Sequence, residues 1–221
     1  MPWLSLSLPE VSLMQPESWL FGLIAFAFVS SITPGPNNVL LAASGARFGS
    51  GRTLSHAAGI WTGMVMLLSL AVLGVGAVAT MAPVLFMTLQ MLAGLALVMT
   101  AIGMVRERPA GESPTAQQTA RPWSFWQAVG FQYLNPKALM MAVTAAAMIP
   151  HGQAEGVDQA GVMIATFMLV SMPCTWVWVM AGAGLRQALN SPTRKRTFNW
   201  IMAGLLIATI PLSLAPLEVL S

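Results

Sequence analysis

Two short stretches carry polar groups into otherwise apolar sequence: Thr33-Pro34-Gly35-Pro36-Asn37-Asn38, and Gln132-Tyr133-Leu134-Asn135-Pro136-Lys137. In the first, the prolines remove amide donors and clash with carbonyls one turn back, so a helix cannot run through them. Carbonyls are freed ahead of such a break, and the amides of a new helix follow it. Those amides and the helix dipole favour an anion such as a carboxylate. The Thr33 hydroxyl and the Asn37 and Asn38 side-chain amides add further hydrogen-bonding groups. A structural kink satisfied by neighbouring helices is the alternative. The concentration of two prolines, a glycine and two asparagines in six residues weighs toward a functional break.

In the second stretch Lys137 is the singular residue. It lies about 13 residues into its apolar segment, roughly 20 Å from the nearer end of a helix rising 1.5 Å per residue. An ionisable group at such depth is costly and reads as functional by default. No Asp or Glu falls inside any apolar segment, so its counterpart is a substrate carboxylate, or else the carbonyls of a broken helix. A proton-linked role belongs with the first of these. Gln132, Tyr133 and Asn135 are secondary candidates on the same segment, and Tyr133 serves equally well as a packing aromatic.

These groups need a membrane protein to position them. The chain has 221 residues, of which 56% are hydrophobic and only 8% charged, with a mean hydropathy of +0.71. Soluble domains carry about 25% charged residues, so a soluble fold is excluded. The basic residues are dispersed between apolar runs instead of forming a patch, which argues against nucleic acid despite a net charge of +3. Cys174, the only cysteine, excludes an intrachain disulfide and a cysteine metal site. The methionines are scattered as packing residues, and nothing calls for a cofactor. The N-terminal residues lack a basic region, so no cleavable signal peptide is expected.

Six apolar stretches can be drawn, near Glu17–Ala43, His56–Met81, Leu85–Val105, Ser124–Met148, Gln159–Leu185 and Phe198–Leu217. The expected fold is an all-α integral membrane protein with six transmembrane helices, the first and fourth broken. Nine of the ten basic residues lie in the connections after the first, third and fifth stretches. The opposite connections hold Glu10, Glu17, Glu155, Asp158 and Glu218. Positively charged connections stay in the cytoplasm, so both termini are expected outside. An internal repeat at an offset of 100 lays Pro36 over Pro136 and the following apolar residues over one another. Residues 1–221 then form a single transporter domain of two halves, about 17–105 and 124–217, joined by the cytoplasmic loop 106–122. Three spans per half give the halves opposite orientation. In such inverted repeats, paired Pro/Gly interruptions mark a midplane substrate site. Glycines at 59, 63, 182 and 184 read as close helix contacts. His56 and His151 read as interfacial.

The segments "TPGPNNVLLAASGARFGSGRTLSHAAGIWTG" (33–63) and "FWQAVGFQYLNPKALMMAVTA" (125–145), with "FNWIMAGLLIATI" in the last span, resemble the LysE/RhtB family of bacterial amino-acid exporters. The Pro-Gly-Pro-Asn-Asn form is most similar to the branch with exporters of cysteine and O-acetylserine. The resemblance implies a secondary exporter in the bacterial inner membrane, driven by the proton motive force as an antiporter. Its partners would be a small amino-acid substrate and membrane lipid, with homodimerisation left open. It would carry functional weight onto Pro34, Gly35, Pro36, Asn37, Asn38 and the Asn135-Pro136-Lys137 segment. Many relatives place an acidic residue in the second helix, where this chain has Met64 after Gly63, so proton linkage would fall to Lys137 or the substrate. A non-transporting assembly subunit and an intramembrane enzyme built on Ser44 and His56 are the rival readings.

Overall fold

Proline sets where most of the helices begin. In the computed structural model, which describes residues 16–75, 83–106, 121–150 and 156–214, proline is the first residue of α1 (Pro16–Ile32), α2 (Pro36–Phe48), α4 (Pro83–Arg106), α6 (Pro136–Ala147) and α8 (Pro192–Leu214). Its fixed φ suits the first helical turn, where an amide would have no intrahelical partner. The remaining helices are α3 (Ser50–Leu70), which continues as a π turn over Ala71–Val75, α5 (Phe125–Leu134) and α7 (Gly156–Leu185). Ser124 starts α5 with a reciprocal cap, accepting from the Gln127 amide at 3.3 Å while Gln127 Oε1 accepts from the Ser124 amide at 2.9 Å. There is no strand among the described residues.

The first and fourth apolar stretches are each broken as expected. α1 and α2 meet at 52° across residues 33–35, and α5 gives way to α6 at the single residue Asn135. The second stretch starts six residues earlier than its hydropathy indicates, at Ser50. Polar Ser50, Gly51 and Arg52 carry the helix past the apolar run, separated from α2 only by Gly49, whose φ of 82° is a conformation glycine adopts without strain. Among the described residues two helices are long and apolar enough to cross a membrane, Ser50–Gly74 and Asp158–Leu185, and the bent α1–α2 pair, taken as one span, makes a third. The outer surface is apolar too: Phe21 is 74% exposed and Leu169 75%. Water would not favour large apolar groups spread around the molecule, whereas lipid does. The fold is thus an all-α membrane protein. Most of the loop at 106–122 and His151 lie outside the described residues.

The principal packing joins early helices to late ones: α2 and α1 lie on α7, α3 on α5, and α4 on α8. Close crossings depend on glycine. A Cβ at Gly182 of α7 would overlap the Ala42 carbonyl of α2, and one at Gly59 of α3 would overlap the Phe125 carbonyl of α5. Gly63 likewise lies against Gln132, while Gly184 meets nothing within 4 Å and is no contact point. One buried cluster combines α1, α3, α6 and α7 through Leu23, Leu68, Met141 and Phe167. Another combines α2, α4, α5 and α8 through Val39, Leu97, Phe131 and Leu206. Each broken stretch passes from one cluster to the other, so the two breaks fall between them.

Candidate functional site

A broken helix leaves carbonyls without intrahelical donors, and at the end of α1 each is met by a side chain from elsewhere. Asn38 Nδ2 donates to the carbonyls of Ser31 and Thr33, both at 2.8 Å. The Trp178 indole of α7 donates to the Ile32 carbonyl at 3.2 Å. Lys137 Nζ, from the start of α6, donates to the Thr33 carbonyl at 2.9 Å, to Thr33 Oγ1 at 3.0 Å and to the Pro34 carbonyl at 3.4 Å. A cation at a helix C-terminus also complements the dipole. Lys137 is set in place by its own break, since Asn135 Oδ1 caps α6 by accepting from the Lys137 amide at 3.1 Å. The contact with broken-helix carbonyls, one of the two readings of Lys137 from sequence, is thus what the structure contains.

A second link ties the breaks together. Asn37 Nδ2 donates to Gln132 Oε1 at 2.6 Å, and Gln132 Nε2 donates in turn to the Ile60 carbonyl of α3 at 2.9 Å. Gln132 is fully buried, and Asn38 and Asn135 are nearly so. Between these links is a cavity of about 40 Å³, lined by Gly35, Pro36, Asn37, Asn38, Gln132, Asn135 and Lys137. The other sequence candidates stand outside it. Thr33 and Pro34 act through the oxygens that hold Lys137, Pro136 is buried at the start of α6, and Tyr133 packs on the apolar cluster of α1, α3, α6 and α7.

Ser30, Ser31, Trp61, Ser171 and Thr175 also line the cavity and were not singled out from sequence. The two serines sit immediately before the first break, and that adjacency was the available signal. Trp61 and Thr175 carried none, because they meet only through the packing of α3 on α7, where Trp61 Nε1 donates to Thr175 Oγ1 at 2.8 Å. Met64 lines the cavity as well, and among the described residues no Asp or Glu does. Two buried oxygens on its lining residues, Ser31 Oγ and Asn37 Oδ1, have no hydrogen-bond partner.

A larger recess of about 650 Å³ is bordered by Arg52, Arg121, Arg186, Lys195 and Arg196. His56 borders it too, only 2% exposed, with its ring stacked on Trp123 at 5.6 Å between centroids. It is therefore a buried residue of α3, six residues from the start of that helix and covered by Trp123. Ser44 Oγ pairs with Thr53 Oγ1 at 3.0 Å and not with His56.

A family model described as LysE type translocator matches residues 28–216. A cysteine/O-acetylserine efflux protein of Escherichia coli K12 is 29% identical over 196 residues, covering 82% of this chain and 90% of the relative. Proteins of the same description from Salmonella typhimurium and Klebsiella pneumoniae are 25% and 21% identical over 187 residues, covering 82% and 83% of this chain and 90% and 91% of the relatives. No solved structure matches the chain.

Proposed function

Because the chain belongs to the LysE type translocator family, we propose that it is a secondary exporter of amino acids or close derivatives, with substrate bound where its two broken helices meet. It is an inner-membrane efflux transporter, not an enzyme. The observation that carries the site is the pair of cross-links between the breaks, Lys137 to Thr33 and Pro34, and Asn37 to Gln132. They flank a cavity of mixed polar and apolar lining inside an apolar bundle. Polar groups at that depth are expensive unless they serve a substrate path.

In this reading Lys137 exchanges the carbonyls of Thr33 and Pro34 for a substrate carboxylate. The exchange is feasible because both partners are oxygen acceptors and a carboxylate makes the stronger, charge-assisted bond. The cavity has room for about three waters, so admitting an amino acid requires α1 and α2 to move at residues 33–35. The printed names of the relatives favour cysteine or O-acetylserine as substrate. Proton motive force is the proposed energy source, with Met64 in place of a carboxylate leaving proton linkage to Lys137 or the substrate.

The six-span inverted repeat is part of the same proposal. The two breaks lie 100 residues apart, with Pro36 and Pro136 each starting the second helix of its pair. The contact of α1 with α7 has its counterpart in that of α5 with α3, as a two-fold axis in the membrane plane would require. Export from cells preloaded with cysteine-containing dipeptides, or challenged with toxic amino-acid analogues, tests the function. Lys137→Ala and Asn37→Ala should abolish or strongly reduce export without loss of protein from the membrane. Unchanged export of a confirmed substrate in both variants would refute the site.

A further inference from the structure

The geometry points to a charge-free subsite for the substrate's ammonium group, formed by Asn37 Oδ1 and Ser31 Oγ, with Gln132 as the residue that sets its polarity. This rests on the exporter reading above. A zwitterion brings one positive group as well as its carboxylate, yet no acidic side chain lines the cavity. The Ile60 carbonyl can only accept a hydrogen bond. Gln132 therefore turns its NH2 toward that oxygen and its Oε1 toward Asn37. Asn37 must then present its own NH2 to Gln132, which leaves Asn37 Oδ1 as an acceptor with nothing to accept.

Ser31 Oγ is the second buried oxygen without a partner, on a residue only 3% exposed that lines the same cavity. Buried polar atoms are nearly always satisfied, so two orphaned oxygens at one cavity mark the place of a missing donor. An ammonium supplies three donors to such a pair. N-acylation would remove the charge and leave one of the three N–H donors to serve the two oxygens. The subsite therefore selects substrates with a free amino group.

Counterflow in proteoliposomes with radiolabelled cysteine and O-acetylserine tests this, using two unlabelled competitors beside cysteine. N-acetylcysteine keeps the carboxylate and loses the ammonium, while cysteine methyl ester does the reverse. In the wild-type protein N-acetylcysteine should compete about tenfold or more weakly than cysteine. Asn37→Asp, which puts a formal negative charge at the subsite, should shift competition toward the methyl ester relative to cysteine. Gln132→Leu, which frees the Asn37 amide to rotate, should narrow the gap between cysteine and N-acetylcysteine, an effect that a purely structural role would not produce. Equal competition by cysteine and N-acetylcysteine in the wild type overturns the subsite even if no variant folds. So does an Asn37→Asp protein with unaltered preference. Absence of counterflow for both radiolabelled probes instead sinks the exporter reading for this substrate class, and the subsite with it.

Discussion

Gly35 lies against the end of Lys137, where an added Cβ would come within 2.8 Å of Cδ and 2.9 Å of Nζ. Gly35→Ala should push the ammonium away from the Thr33 and Pro34 carbonyls and lower transport, though less than Lys137→Ala does. Because both changes act on one contact, the double variant should be no worse than Lys137→Ala alone; additive losses in a proteoliposome assay would show that the two residues act separately. Asn38 has a different task, since its Nδ2 satisfies two carbonyls at once. Asn38→Leu strands the Ser31 carbonyl and leaves the Thr33 carbonyl to Lys137 alone, and the unfolding midpoint in detergent should fall by the equivalent of about 1–3 kcal/mol. A midpoint equal to wild type would mean that those carbonyls find other donors.

At the scale of helices, the crossings are decided by where a side chain is impossible. Gly182→Val would drive a branched side chain into the Ala42 backbone, an obstacle that cannot rotate away, so α7 and α2 must separate. Overpacking of this kind costs about 1–3 kcal/mol, and the melting temperature should drop clearly. Gly184→Ala on the same helix should leave it unchanged, since nothing lies within 4 Å. From sequence the two glycines look alike, and only the partner helix distinguishes them. The same division governs what else was legible. Proline encodes its effect locally, so both breaks could be read directly, whereas the last helix begins at Pro192, six residues ahead of its apolar run. Hydropathy reports burial in lipid, not helicity, and it missed the polar first turn of α3. The cavity's Trp61 and Thr175 are 114 residues apart, joined by tertiary packing that no local pattern records.

Across the whole molecule, the basic connections argue for cytoplasmic placement. An alkaline phosphatase fused near residue 153 should be active and one near residue 115 inactive; the opposite result would invert the proposed topology. The contact between Lys137 and the end of α1 has a kinetic consequence for a carrier that exports without obligatory exchange. After releasing its cargo, such a carrier must complete the return leg of its cycle empty. A naked ammonium would oppose that passage, and in the proposed cycle the Thr33 and Pro34 oxygens would stand in for cargo. Weakening the substitute should therefore slow net efflux while sparing exchange, in which the site returns occupied. Thr33→Val, which deletes the hydroxyl 3.0 Å from Lys137 Nζ and keeps the carbonyl, separates the two modes. Equal slowing of both would place the slow step elsewhere in the cycle.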